Sequence, residues 1–114
     1  MRRLDQIRLS DTDRRAIQAA AAALREHLPV DQVILYGSKA RGDDDDESDI
    51  DLLVLTSRPL TPDEDRSVVS LLFPLQLEFD VMLSSVEIPR DEWDHGVYQV
   101  MPLRYEVERD GVAV

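Results

Sequence analysis

The sequence predicts an α+β protein of two layers, in which helices pack on a mixed β-sheet. Short apolar stretches typical of buried strands alternate with longer stretches that have helical spacing. The chain has 114 residues, enough for one domain with one core, so we expect a single domain over 1–114. Its hydrophobic content of 43% and charged content of 32% are typical of a soluble globular protein.

The first long helix is predicted between a cap and a proline. Ser10 precedes the helical run and can cap it, with Asp13 three residues later as its partner. The run continues through the alanine-rich segment 19–23 to about His27, and Pro29 ends it.

Two buried strands follow from short apolar runs. Residues 33–36 are apolar and end at Gly37, and residues 50–55 are apolar apart from Asp51. Thr61, Pro62 and a glutamate at the third helical position then predict the start of a second helix.

The second helix is expected to end near Pro74. Residues 77–84 alternate apolar and polar side chains, which predicts a third strand with Glu78 and Asp80 on the face away from the core. A turn with Trp93, a helix over 97–108 and an apolar segment at 112–114 complete the expected order.

Charge and composition exclude several classes of function. The chain has 24 acidic and 13 basic side chains, a net charge of −11, so general binding to nucleic acid or an anionic membrane is not expected. It has no cysteine, which excludes disulfides, thiolate catalysis and zinc–cysteine sites. No run is long enough to span a membrane, and residues 1–9 lack the apolar core of a signal peptide. We therefore expect a cytoplasmic protein.

A glycine–serine turn after the first strand predicts a phosphate-binding site. Gly37 lets the backbone turn tightly and approach a ligand closely, and Ser38 adds a hydroxyl at the start of a short helical turn. Backbone N–H groups at such a turn bind phosphate oxygens well.

A carboxylate pair stands at the start of the second strand. Asp49 and Asp51 are two residues apart, so both side chains point to one face. Two close carboxylates repel unless a cation joins them, and Mg²⁺ prefers such oxygen ligands together with substrate phosphates. A phosphate seat beside a Mg²⁺ site is suited to in-line attack at phosphorus. A third acid would help, and Asp80 is the preferred candidate over Glu78 because aspartate is the shorter ligand.

Residues 37–42, a five-residue gap and residues 48–51 resemble the signature of the DNA polymerase beta-like nucleotidyltransferase superfamily. The short chain is more narrowly similar to the minimal nucleotidyltransferase family, with eight specified positions matching in fifteen residues. The resemblance implies a mixed sheet with helices on one side and a Mg²⁺–nucleoside triphosphate site at its edge. By position, Gly37 and Ser38 would contact the triphosphate.

The same resemblance implies further roles and a partner. Asp49 and Asp51 would bind Mg²⁺, and Asp80 would be the third carboxylate. Minimal members usually stand beside a helical HEPN-domain toxin and act as its antitoxin, some by transferring AMP from ATP to a tyrosine of the toxin. The expected function is therefore a protein adenylyltransferase that forms a hetero-oligomer with its partner and has no direct contact with nucleic acid or membrane.

Several alternatives stay open. Arg41 is equally compatible with binding phosphate and with pairing to nearby acids. The acidic run 43–47 is more typical of a solvated loop than of a ligand set, and it lacks the EF-hand pattern. The chain could also neutralise its partner by contact alone, without catalysis, or modify a small molecule with the help of another subunit.

Overall fold

The sheet is mixed, as the sequence predicts. The computed structural model describes residues 1–43 and 48–114. Its strands are β1 (Arg2–Arg3), β2 (Val30–Tyr36), β3 (Ile50–Thr56), β4 (Leu83–Pro89) and β5 (Val112–Ala113). Their spatial order is β1-β5-β2-β3-β4. β3 runs antiparallel to β2 and parallel to β4, while β5 runs antiparallel to β2 and parallel to β1.

Helices lie on both faces of this sheet, not on one side as the family resemblance implies. They are α1 (Asp11–His27), α2 (Ser38–Arg41), α3 (Pro62–Phe79), α4 (Arg90–His95) and α5 (Pro102–Asp110). Single 3₁₀ turns occupy Leu4–Gln6 and Val97–Val100. In the part of the chain that the structure describes, no helix is long and apolar enough to cross a membrane.

Alternation along the two central strands divides the core between the two faces. Leu35, Leu52 and Val54 belong to the larger apolar cluster, which α1 and α3 cover. Leu53 and Leu55 belong to the smaller cluster, which α4 and α5 cover. Because side chains of a strand alternate between faces, Asp51 lies on the same face as Leu53, the α5 side of the sheet.

The predicted helix starts are confirmed. The Asp13 backbone N–H donates to the Ser10 side chain at 3.1 Å, and α1 ends at His27. At α3 the Glu64 N–H donates to the Thr61 hydroxyl, and the Thr61 N–H donates to the Glu64 carboxylate, a complete capping box. Pro62 occupies the first turn, where its missing N–H leaves no acceptor unmatched.

The predicted strand over 77–84 is wrong, because α3 continues through Pro74 to Phe79. Leu72, Leu75 and Phe79 pack on the core at helical spacing, and this buried stripe favours helix over strand. The acceptor that Pro74 leaves without its usual helical partner is the carbonyl of Ser70, an exposed residue that water can reach. The interior proline therefore costs α3 less than it would on a buried face.

Asp80 ends α3 in a left-handed conformation and does not lie on a strand. Its φ of 53° and ψ of 51° are values that aspartate tolerates better than most residues. The N–H groups of Asp80 and Val81 both donate to the Gln76 carbonyl, which is a Schellman-type helix end. The Gln76 side chain accepts from the Leu83 N–H at 2.8 Å, so the same residue fixes the start of β4.

The C-terminal elements differ in detail from expectation. The helix predicted over 97–108 is split at Met101, whose ψ of 151° reflects the restriction that Pro102 imposes on the residue before it. The apolar segment after Gly111 forms β5, which pairs with β2 and with the N-terminal β1. Neither of these two short strands is predicted from the sequence.

Candidate nucleotide and metal site

The predicted motif folds at one end of the two central strands. β2 ends at Tyr36, and β3 begins at Ile50 on the neighbouring, antiparallel strand. Tyr36 and Asp51 are paired across the ladder, so their side chains share one face. α2 follows β2 directly, and this places the glycine–serine turn beside the carboxylate pair.

Gly37 is required by both its conformation and its contacts. Its φ of 77° lies in the region that favours glycine. A Cβ on Gly37 would lie 2.6 Å from Oδ2 of Asp51. The backbone of the turn and the Asp51 carboxylate are therefore in close contact, and a side chain at position 37 would displace the carboxylate.

The single turn of α2 is closed by its own hydrogen bonds. The Arg41 N–H donates to the Gly37 carbonyl at 3.1 Å, and the Gly42 N–H donates to the Ser38 carbonyl at 2.9 Å. The first N–H groups of a helix have no acceptor within the helix, and their dipoles favour anions. Ser38 is half-buried at this start, so its hydroxyl and the adjacent N–H groups are suited to phosphate oxygens.

The ionised form of Asp51, at the start of β3, is disfavoured by its surroundings. Burial raises the pKa of Asp51, and the nearby charges of Asp49 and Glu106 raise it further, while Arg41 opposes them. The pKa of the Tyr36 hydroxyl is raised by burial and by Asp51 and Glu106. A cation at this face would relieve the repulsion.

Arg41 is paired with acids in this structure. Its Nε lies 3.1 Å from the Asp43 carboxylate, and its Nη1 lies 3.8 Å from Glu106 and 3.7 Å from Asp110. The hydrogen bond to Asp43 raises the pKa of Arg41 most strongly. Of the two interpretations that the sequence left open, the structure shows the pairing with acids, and contact with phosphate remains a prediction.

Three residues near the site were missed by the sequence analysis. Glu106 comes from α5, more than fifty residues after Asp51, and only the tertiary fold brings its charge close. Tyr36 could have been identified, because alternation along β2 and β3 puts it opposite Asp51. Lys39, within the turn, has no role that the sequence pattern predicts. It is 3% exposed, and its Nζ lies 2.8 Å from the Asp13 carboxylate.

The third predicted acid does not lie on a strand beside Asp51. Asp80 is exposed at the end of α3 and lines a cavity together with Ser48, the residue before Asp49. On β4, the residue in register with Asp51 is Ser84. Within residues 1–43 and 48–114, no three acidic or histidine side chains gather in a metal-binding arrangement. Glu78, the competing candidate, is exposed on α3, and the acids of 44–47 lie outside the described residues.

The donor chemistry of the carboxylate pair fits a divalent cation. Asp49 is exposed and Asp51 is half-buried, and both offer the hard oxygen atoms that Mg²⁺ prefers. Mg²⁺ is usually held by one or two carboxylates, with substrate phosphates and water in the other positions. Two carboxylates beside a phosphate seat therefore meet this requirement without a third protein ligand.

Comparison with known proteins points to one family. The description of the matching family is "Polymerase beta, Nucleotidyltransferase", and the match covers residues 18–98. A candidate protein adenylyltransferase of Methanocaldococcus jannaschii, MJ0141, is 39% identical over 57 residues. The aligned segment is 50% of this chain and 58% of that relative, so the chain spans little more than half of the relative's length.

Solved structures share the fold. A candidate minimal nucleotidyltransferase superposes with a TM-score of 0.61 at 25% identity, over 91% of this chain and 94% of the other. A toxin–antitoxin with AMP-PNP gives 0.58 at 19% identity, over 84% and 69% of the two chains. A mutant of the toxin–antitoxin MntA-HpeT gives 0.57 at 20% identity, over 86% and 70%. The predicted fold class is confirmed.

Proposed function

The chain belongs to the polymerase beta nucleotidyltransferase family, and from this premise we propose that it transfers AMP from ATP to a hydroxyl group of a partner protein. The narrower family predicted from the motif, the minimal nucleotidyltransferases, is supported by the relative that matches along nearly its whole length. One observation carries the proposal. The Gly37 turn, which is suited to phosphate, touches the Asp51 carboxylate, whose pKa is raised beside Asp49.

Asp49 and Asp51 would hold Mg²⁺ in this proposal. When bound, Mg²⁺ neutralises charge on the triphosphate and lowers the pKa of an incoming hydroxyl. Gly37 and Ser38 would bind the phosphates through backbone N–H groups and the serine hydroxyl. Arg41 would move from its acidic partners to a phosphate, or it would stay and hold α2 against α5.

The reaction proposed for this site is an in-line substitution at the α-phosphorus. The acceptor oxygen forms a bond to the α-phosphorus, the bond to the bridging oxygen breaks, and pyrophosphate leaves along the Gly37–Ser38 turn. The hydroxyl proton passes to a carboxylate or to water. We propose Asp80 as the third carboxylate, the role that the family resemblance implies for it.

The proposed acceptor is a helical toxin of the HEPN type, and the chain would be its antitoxin. Support comes from two similar folds that are toxin–antitoxin structures and from a relative that is a candidate protein adenylyltransferase. The acceptor group would be a tyrosine hydroxyl, and the two proteins would form a hetero-oligomer. ATP as substrate places the proposed reaction in the cytoplasm.

Two other functions remain as alternatives. The chain could neutralise a toxin by contact alone, and the acids that pair with Arg41 favour this alternative because they would compete with phosphate. It could also modify a small molecule when another subunit completes the site.

The test compares two labelled forms of ATP. The full chain, Mg²⁺ and a lysate of the source cells are incubated with ATP labelled at the α-phosphate or at the γ-phosphate. The proposal predicts α-label, without γ-label, on one protein that is then identified by its mass. Asp49→Asn should abolish this label, and Asp91→Asn, on an exposed carboxylate of α4, should keep it. Absence of α-label under all conditions, with the toxin still neutralised, would favour the contact mechanism.

A further inference from the structure

The solvent face of α3 carries a row of apolar side chains. Val69, Phe73 and Leu77 are 70%, 53% and 69% exposed and stand four residues apart. Residues at this spacing are neighbours on a helix surface, so the three form a continuous stripe, here named the α3 stripe. It lies beside Pro74, which leaves the helix unbroken.

Packing within the chain does not account for this stripe. Val68 and Leu72 are the buried side chains of α3, and they point to the sheet. Scattered exposed apolar residues are ordinary, but a contiguous apolar surface marks a binding surface or an aggregation hazard. A helix with apolar side chains on both its inner and outer faces is typical of a helix that is covered on both sides.

The α3 stripe continues toward the nucleotide site. Phe73 and Leu77 line a cavity of about 540 Å³ together with Met82, which is 60% exposed. Ser48 and Asp80 line the same cavity. Ser48 immediately precedes Asp49, so this apolar surface reaches the residue next to the proposed metal pair.

The charged residues around the α3 stripe indicate what kind of partner would bind it. Asp63 and Asp65 stand at one end of the stripe, and Glu78 and Asp80 stand at the other. These four acids outnumber the nearby bases, which are Arg66 of α3 and Arg15 of α1 over the Phe79 ring. Two copies of this chain stacked through their stripes would bring acidic ends together in either orientation, and each carries a net charge of −11. The stripe is therefore better suited to an apolar surface with basic residues around it.

We propose that the α3 stripe docks a partner protein through an apolar helix face flanked by lysine and arginine, and that this partner is the acceptor of the nucleotidyl group. This inference rests on the proposed function for the identity of the partner. The docked partner would cover Phe73, Leu77 and Met82, and its hydroxyl would enter from the Ser48 side.

The first experiment uses site-specific photo-cross-linking. The sequence has no cysteine, so Leu77→Cys gives a single attachment point for a benzophenone maleimide. Val100→Cys is the matched control, because Val100 is also an exposed apolar residue, 73% exposed, but lies beyond α4. Each full chain is cross-linked in a lysate with Mg²⁺ and α-labelled ATP. We expect the protein that receives the α-label to be cross-linked from position 77 and not from position 100.

The second experiment measures affinity with that acceptor in purified form. Leu77→Glu should weaken binding at least about tenfold, the effect of removing one buried apolar anchor, while Val100→Glu should leave it unchanged. Raising salt should weaken binding of the unsubstituted chain, because its acidic flanks would face basic residues. ATP-dependent thermal stabilisation in Mg²⁺ should be the same in all three proteins.

The outcomes separate the docking surface from the catalytic proposal. Equal labelling and equal affinity of Leu77→Glu would overturn the docking surface and leave nucleotidyl transfer intact. A cross-link from position 77 to one protein that binds again when purified, with no α-label, would support the surface and overturn the transfer. Cross-links only between copies of the chain, together with a dimer that Leu77→Glu dissociates, would overturn the partner in favour of self-association.

Discussion

At two ends of the molecule, the pKa of a carboxylate is shifted in opposite directions. At the start of α3, Arg58 donates to both oxygens of Glu64 at 2.7 and 2.9 Å, and the Thr61 N–H adds a further bond. These contacts lower the pKa of Glu64 to about 2. At the start of β3, burial and neighbouring acids raise the pKa of Asp51. One carboxylate is stabilised by the protein itself, and the other is suited to an external cation.

The direction of the pKa shift distinguishes structural acids from functional acids better than composition does. Both carboxylates have an arginine nearby, yet Arg41 reaches Asp43 and Asp110 and only partly offsets the charges around Asp51. Perturbed carboxylates beside a phosphate-suited turn are typical of functional sites. A fully bonded capping residue such as Glu64 contributes to the fold.

The largest predicted effect concerns Asp51, the carboxylate whose pKa is raised. Asp51→Asn should reduce nucleotidyl transfer by about a thousandfold, since it removes a proposed metal ligand. The same change should slightly stabilise the metal-free protein, by about 0.5 kcal/mol, because it removes a repelling charge. Labelled transfer and thermal unfolding in EDTA measure the two effects, and a clear loss of stability would contradict this interpretation of Asp51.

A buried ion pair gives the next largest effect. Lys39 and Asp13 are 3% and 13% exposed, so Lys39→Met leaves a nearly buried carboxylate without this cation. We expect the free energy of unfolding to fall by about 3 kcal/mol, as urea titration would show. Adding Asp13→Asn should restore part of the loss, and a double variant no more stable than Lys39→Met would contradict the pairing.

Two glycines with positive φ angles test the contact between the turn and the carboxylate. Gly37→Ala should destabilise the fold by about 2 kcal/mol and reduce transfer strongly, because its Cβ would lie 2.6 Å from Asp51 Oδ2. Gly42→Ala is the matched control. It has a φ of 79° with open space, so only the backbone cost, about 1 kcal/mol, applies. Equal transfer by the two variants would argue against the Gly37 contact.

The smallest predicted effect is the contribution of Glu64 to the pH dependence of stability. The folded-state pKa of Glu64 is about 2, below its usual 4.5, so its ionised form stabilises the fold above pH 4.5. That stability should be lost as the pH falls from 4.5 toward 2. Glu64→Gln should flatten this part of the stability profile, and urea midpoints at pH 3 and pH 6 measure it. An unchanged slope would contradict the assigned pairing with Arg58.

Local signals predicted much of the fold and part of the site. Ser10, Thr61 and Gly37 act on residues within a few positions, so the helix starts and the turn could be recognised from the sequence. The alternation over 77–84 was ambiguous, since Phe79 fits both a strand face and the helical stripe with Leu75. Packing against the core decides between strand and helix here, and this packing cannot be read from the sequence alone.

Long-range contacts could not be predicted. Glu106 and Asp110 reach Arg41 only because β5 returns the chain to β2 and so carries α5 to this end of the sheet. The α3 stripe could not be predicted either, because the helix was expected to end near Pro74, before Leu77. Both features depend on the arrangement of whole elements.

Calorimetric titration of ATP into the full chain tests the central claim most directly. The pair Asp49 and Asp51 is proposed to bind ATP together with Mg²⁺ at the Gly37 turn. We predict binding in Mg²⁺ that disappears in EDTA and in Asp51→Asn, and that persists in Glu64→Gln. Equal affinity in EDTA, or in Asp51→Asn with Mg²⁺, would contradict the assignment of these carboxylates as the cation site.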